Sequence, residues 1–200
     1  FRVDSELGQA YIEAMNLAGK YAQAGRDLVC AKVLEILGAE EVASVHNHHN
    51  LAWREEHGGE KWWVIRKGCT PAFPGQQGFV GSTMGEDSVI LEGTSEGAKA
   101  LFSTVHGAGR IMSRTAAAGK RNRRTGEVIR PGLVSTKMMR AWIKEKGVVL
   151  RGGGPDESPH VYRRLPEVLA AQGSTIEVLH VLKPLIVVMA GANEFDPYKD

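Results

Sequence analysis

Apolar and polar positions alternate with two different periods along this chain. Over residues 5–39 the period is helical: Tyr11, Met15, Leu17, Ala18, Tyr21 and Ala22 recur near i, i+3, i+4 and i+7. Ser5, with Gly8 three residues on, gives a helix start, and Gly25 is placed to interrupt it. Residues 27–37 then read as a second helix carrying Leu28, Val29, Val33, Leu34 and Ile36. Residues 51–57 also read as helix, and the β-branched run at 42–45 is short. Residues 61–65 (KWWVI) read as a strand, as do 79–80, 89–91, 148–150, 176–182 and 185–190, the last two separated by Lys183-Pro184. Further helices are predicted over 95–103, 110–118, 135–146 and 161–171. Residues 119–126 and 152–159 read as loops. This intermixing predicts an α+β fold, with mixed or antiparallel sheets and flanking helices.

The 200 residues are enough for one domain with its own core. Apolar content of 42% and charged content of 24% place the chain among ordinary globular proteins. No apolar run reaches the roughly 18 residues of a membrane span, and no secretory segment opens the chain. Two cysteines, Cys30 and Cys69, make no disulfide framework, so a reducing cytoplasm is the expected compartment. The chain begins with Phe1 and ends DPYKD, and reads as a piece of a longer protein. The net charge is only +2, but it is unevenly distributed. Between Arg110 and Arg130 seven basic residues face one acid, Glu127. Such a cluster is either a solvated face or a contact for a polyanion such as RNA.

Three stretches carry candidate chemistry. HNHHN holds His46, His48 and His49; on a strand the first two share one face and His49 takes the other, so one segment cannot supply a complete metal site. Residues 74–89 form a glycine-rich loop with no G-x-x-x-x-G-K-[ST]. It can still present N–H donors to phosphate. FSTVHGAGRIMSR puts His106 before a tight turn, Gly107-Ala108-Gly109, and places Arg110 and Arg114 at helical spacing. A histidine there could be a ligand, an acid or base, or a nucleophile toward phosphorus; the competing reading is a strand-to-helix turn with a capping histidine.

Taken in order, HHN with LAWREEH, then RKGCT, GSTMG, HGAGR-x-MSR and DE-x-P-x-x-Y resemble the RtcB family of RNA-splicing ligases, and the match covers nearly the whole chain as the C-terminal half of such a protein. The resemblance implies an RtcB-like fold, with residues 1–200 a single domain or the C-terminal half of one catalytic domain. It also implies an enzyme that joins RNA ending in a 2′,3′-cyclic phosphate or 3′-phosphate to RNA with a 5′-hydroxyl. GTP and Mn²⁺ are the implied cofactors, and an archease-type activator is an implied partner. By the same resemblance His106 is the residue that carries GMP, and His49 is a metal ligand. Gly107, Ala108, Gly109 and Arg110 surround the GMP phosphate. The loop with Gly81, Ser82, Thr83, Met84, Gly85 and Ser88 borders the guanine together with Tyr162. Arg66, Lys67 and Arg114 lie near the RNA or phosphate path.

The chain also departs from the family pattern. The family's other metal ligands lie upstream of the matched region. Met189 stands where the family has a lysine near the guanine, with Lys199 as a substitute further on. If the 200 residues are the whole molecule, weak metal binding and no complete ligation are expected. Two other classes fit parts of the sequence. One is a non-catalytic RNA-binding fragment without the full metal site. The other is a metal-dependent nuclease of the His-Asn-His type, whose histidines are normally well separated rather than bunched as here.

Overall fold

The computed structural model describes residues 1–122 and 124–191, and the fold is α+β. Helix α1 (Glu6–Leu37) starts where the Ser5 hydroxyl accepts the Gly8 N–H at 3.1 Å and ends at Gly38 in the left-handed conformation. It runs unbroken through Gly25, because one interior glycine costs only about 1 kcal/mol against alanine. The predicted pair of helices is therefore one helix. Its contact with the next element is local: a Cβ on Gly19 would lie 3.2 Å from Leu51.

The predicted helix at 51–57 is a strand. β1 (Asn50–His57) pairs antiparallel with β2 (Glu60–Lys67) through eight residues, from Asn50↔Lys67 to His57↔Glu60. Gly58 and Gly59 both have positive φ, +62° and +82°, the backbone of a two-residue hairpin turn. WREEH then alternates by strand period, with Trp53, Glu55 and His57 on one face.

β3 (Cys69–Pro71) pairs antiparallel with β6 (Ser103–Val105). A three-stranded antiparallel sheet follows, with β5 (Ser88–Gly93) between β4 (Gln77–Val80) and β10 (Ile176–Leu182). Its core-facing residues Val80, Val89, Leu91 and Ile176 pack with Ala108 and Leu165. At the end of β5 the chain passes so close to residue 72 that a Cβ on Gly93 would fall 2.1 Å from the Ala72 carbonyl oxygen.

Between these sheets the structure differs from the sequence reading in four places. The segment read as helix over 95–103 is a 3₁₀ turn (Ser95–Ala100) followed by Leu101 and Phe102 in the left-handed region, at φ +50° and +46°. Non-glycine residues held there cost on the order of 1–3 kcal/mol each and persist only where surroundings impose them. The helix read over 110–118 is only α2 (Arg114–Ala118), because Ser113 caps it by accepting the Ala116 N–H. Arg110 lies before it in extended backbone. The basic loop at 119–126 is part of a hairpin, β7 (Gly119–Arg121) with β8 (Val128–Pro131). The helix read over 161–171 is α4 (Leu165–Gln172), with Pro166 in its first turn, and Tyr162 sits ahead of it in an extended bridge to Arg110.

α3 (Thr136–Lys146) starts at a Ser135 cap and packs Met139 and Ile143 on Met84 and Val148. β9 (Val149–Arg151) runs parallel to β11 (Ile186–Val188). Among the described residues no helix is long and apolar enough to cross a membrane. Leu91 is fully buried at the centre of the sheet. Leu91→Ala is expected to lower the unfolding free energy by about 2–5 kcal/mol, read as a lower urea midpoint with an unchanged slope.

Candidate functional site

Two ribbons converge on Gly68. In the β1–β2 hairpin Asn50 faces Lys67, so His49 falls just before the ladder, and its carbonyl accepts the Gly68 N–H at 2.9 Å. In the β3–β6 pair Cys69 faces Val105, so His106 falls just after that ladder. Gly68, at φ +74°, makes the corner between the two, and a Cβ there would lie 3.8 Å from Nε2 of His106. The outcome is that His49 and His106 stack face to face, ring centroids 4.5 Å apart and planes 4° from parallel. Residues 57 positions apart in sequence, one expected as a ligand and one as a nucleophile, thus share a single site.

Both rings favour the neutral form. Burial lowers the pKa of His106, and the charges of His49 and Lys67 lower it further. Burial likewise lowers His49, with Arg26 and Lys67 adding to the effect. His48 is lowered by burial and by the charges of His46, Arg26 and His49. A neutral imidazole keeps a lone pair for a metal or a phosphorus atom. The rest of HNHHN is held by neighbours. Arg26 of α1 donates from Nε to Nε2 of His46 at 3.1 Å, and the His46 ring meets His48 edge to face. Asn47 accepts the Phe79 N–H at 2.9 Å and donates to the Gln77 carbonyl. The segment is therefore an irregular strap pinned on both sides, not a strand with alternating faces.

The glycine turn lies against the glycine-rich loop. Gly81 and Gly107 form a parallel bridge, and the Gly81 N–H donates to the His106 carbonyl at 3.3 Å. A Cβ on Gly107 would lie 3.3 Å from the Gly81 carbonyl oxygen. Gly109, at φ +78°, would have nothing within 4 Å of a Cβ, so the turn is open on that side. The Ala108 side chain points the other way, into the core. In the loop, the Ser82 N–H donates to the Ser88 hydroxyl and the Ser82 hydroxyl to Glu86. The Thr83 hydroxyl accepts the Gly85 N–H. Met84 does not face the site: it is buried against Met139, Ile143 and Val148. Gly85 is covered by Trp142, whose Nε1 donates to its carbonyl at 3.2 Å.

The arginines are placed differently from the sequence reading. Arg110 and Arg114 do not share a helix face, because only Arg114 is helical. They converge instead on the DE pair of the 155–157 turn. Arg110 donates to the Tyr162 hydroxyl at 3.0 Å and to the Asp156 carbonyl at 2.7 Å, and lies over the Tyr162 ring at 5.0 Å. Arg114 is ion-paired with Asp156 and Glu157, and the Tyr162 hydroxyl donates to Glu157. These cations hold the turn to the 155–162 segment, with their charge matched by two carboxylates. The Arg66 side chain is turned into the interior and is 1% exposed. Lys67 is exposed, with Nζ 3.5 Å from Oδ1 of Asn50. Met189 packs beside Met84 and Gly153. Lys199, like Arg123 of the basic run, lies outside the described residues.

A buried network went unread in the sequence. Arg66 reaches over the Trp53 ring at 5.1 Å and donates through both terminal nitrogens to Glu55, at 2.6 and 3.0 Å. Glu55 is also 2.8 Å from Nε2 of His57, which stacks on Phe73 and Phe102. Burial raises the Glu55 carboxyl, but the hydrogen bonds and charges of Arg66 and His57 outweigh that and leave it below the usual carboxylate range. The signal was the two-residue alternation of Trp53, Glu55 and His57, which a helical reading of the segment scatters around a cylinder.

The fold and site together define an α+β protein with paired imidazoles beside a glycine turn. A model of the RtcB family, described as tRNA-splicing ligase RtcB, matches residues 1–190, and the chain belongs to that family. It is similar to the RNA-splicing ligase RtcB of Escherichia coli (strain K12), 30% identical over 199 residues, covering 94% of this chain and 45% of that protein. It is similar to RNA-splicing ligase RtcB homolog 1 of Entamoeba dispar, 34% identical over 219 residues, covering 92% of this chain and 38% of that one. The RNA-splicing ligase RtcB of Mycobacterium tuberculosis is 33% identical over 194 residues, covering 84% and 42%. The chain thus spans less than half the length of these relatives.

The histidine pair can be tested by titration. Both folded midpoints are expected below the ordinary imidazole value of 6.5. Their contribution to stability is full above that value and lost as pH falls through the folded midpoints, because the unfolded chain takes up the protons first. Ring-proton NMR is expected to show His106 titrating below 6.5, and its midpoint moving up in His49→Ala, which removes both a covering ring and a like charge.

Proposed function

We propose that this chain carries the nucleotide-accepting part of a GTP- and Mn²⁺-dependent RNA ligase, which joins RNA ends bearing a 2′,3′-cyclic phosphate or 3′-phosphate to 5′-hydroxyl ends. The observation that supports this reading best is the His49–His106 stack, with both rings kept neutral at the mouth of the Gly107–Gly109 turn. A neutral His106 nitrogen attacks the α-phosphorus of GTP; a P–N bond forms, the bond to the β-phosphate oxygen breaks, and pyrophosphate leaves. A 2′,3′-cyclic end is first opened by water, which breaks the P–O2′ bond and leaves a 2′-hydroxyl and a 3′-phosphate. An oxygen of the 3′-phosphate next displaces the histidine, breaking the P–N bond and leaving GMP on the RNA end. The 5′-hydroxyl then attacks that activated phosphate, the new phosphodiester forms, and GMP departs. The phosphoramidate suits this relay because it can be attacked again at phosphorus.

The residues of this chain bind and orient. The open side of Gly109 admits a phosphate close to the backbone. Arg110 and Arg114 act through the turn that they brace. Lys67, exposed beside the imidazoles, supplies a cation for the RNA backbone or the phosphates. His49 is the ring the chain would contribute to manganese, which would neutralise phosphate charge when bound. Among the described residues no group of three or more His, Cys, Asp or Glu side chains could hold a metal ion. The bunching of His46, His48 and His49 in one strap leaves a His-Asn-His nuclease unsupported.

Intact-mass measurement after incubation with GTP and Mn²⁺ tests the reading, using the full reading frame that contains this chain. One added GMP is expected, absent in His106→Ala and released on addition of RNA with a 3′-phosphate. Protein that binds RNA but gains no GMP would overturn the ligase reading in favour of RNA binding without catalysis.

A further inference from the structure

The nucleotide reading makes no use of a buried and fully partnered ion pair, Arg66 with Glu55. The Arg66 side chain is 1% exposed, and the Glu55 side chain 9%. A buried ion pair of this kind is weak evidence for stability, since apolar residues of similar volume often serve as well. Its partners indicate another role. Beyond Glu55, the Arg66 guanidinium donates to the Ser103 hydroxyl at 2.9 Å, to the Leu101 carbonyl at 2.8 Å and, at 3.4 Å, to the Phe102 carbonyl. Leu101 and Phe102 are the two non-glycine residues with positive φ among those described. The fork therefore grips the one such dipeptide among the described residues, immediately ahead of β6, and β6 ends one residue before His106.

The same arginine sits on β2, opposite Leu51 of β1, two residues past His49. One guanidinium consequently ties the ribbon that delivers His49 to the ribbon that delivers His106. Other holds on the strained pair are backbone bonds: the Leu101 and Phe102 N–H groups donate to the Ala98 and Gly97 carbonyls at 3.1 and 2.9 Å as the cap of the 3₁₀ turn, and the Phe102 carbonyl accepts the Ala72 N–H at 2.7 Å, which starts the β3–β6 pairing. His57 completes the arrangement: its Nε2 meets Glu55, and its ring stacks on Phe102 with centroids 6.0 Å apart.

We propose that Arg66, held by Glu55, is a positioning residue: it imposes the left-handed Leu101–Phe102 conformation, and through it the placement of the His106 ring against His49. This rests on the reading of His106 as the nucleotide acceptor only for its consequence in the reaction, not for its structural content. Without the fork the dipeptide relaxes to ordinary backbone, β6 shifts, and the stack opens. Misplacement of a nucleophile by about 1 Å costs up to ~100-fold in rate.

The test separates placement from stability. Arg66→Met alone leaves Glu55 buried without its charge partner, which destabilises the whole fold, so the informative variant is Glu55→Gln/Arg66→Met. It removes both charges and keeps an acceptor for His57. This variant is expected to retain a cooperative melt near that of the parent. It is expected to lose hydrogen-exchange protection at the Ala72 amide and the His49 ring-current shift on the His106 ring protons. GMP transfer to His106 is expected to slow by about tenfold or more at saturating GTP, with little change in half-saturation. Arg66→Lys, which keeps the charge but not the fork, is expected to lose the same exchange protection. A double variant that keeps the exchange protection and the ring-current shift overturns the proposal, whether or not GMP is transferred. If the parent takes up no GMP, the nucleotide reading fails, and the exchange and ring-current measurements still decide the role of Arg66.

Discussion

The antiparallel register of β1 on β2 is the constraint on which the site depends. Side chains alternate faces along a strand, so a slip of one residue would turn Arg66 and Glu55 out of the interior and carry His49 away from Gly68. The two-glycine turn at 58–59 fixes the register at one end. The Gly68 corner uses it at the other, where a single φ-positive residue hands the chain from β2 to β3 and so from one imidazole to the next. The site is thus made by backbone hydrogen bonds rather than by affinity between histidines.

Charge is handled by burial and pairing throughout this region. The arginines nearest the glycine turn are matched by carboxylates: Arg66 by Glu55, and Arg110 and Arg114 by Asp156 and Glu157. Arg164 adds a further case, paired with Glu86 at 2.7 Å and lying over the Trp142 ring at 4.4 Å. That contact ties the glycine-rich loop to the start of α4. Paired arginines give the loops around the imidazoles fixed geometry. Lys67 is of another kind, with its ammonium left at the surface.

Much of this was legible in the sequence where one period dominates. The helical period of α1 and α3 is legible because their apolar spacing repeats over several turns, although Gly25 suggests a break in α1 that the structure does not have. The errors came from short segments whose local pattern fits two periods. WREEH has polar residues enough for a helix surface, and only the Gly-Gly turn behind it and the partner strand beyond decide for β. Arg110 and Arg114 have helical spacing, but Ser113 caps the helix between them, so the spacing carries no geometry. Nothing local in RKG shows that Arg66 is buried while Lys67 is not; that follows from the alternation of faces along β2. The family resemblance pointed to His49 and His106 together, whereas their stacking is a product of two registers that no linear pattern contains.

The face-to-face stack of His49 and His106 has an electrical consequence. Two parallel rings at 4.5 Å, both partly buried, repel each other when both are charged. The first proton taken up by either ring therefore makes the second harder to add, so the geometry that brings the two imidazoles together also works against charging both of them.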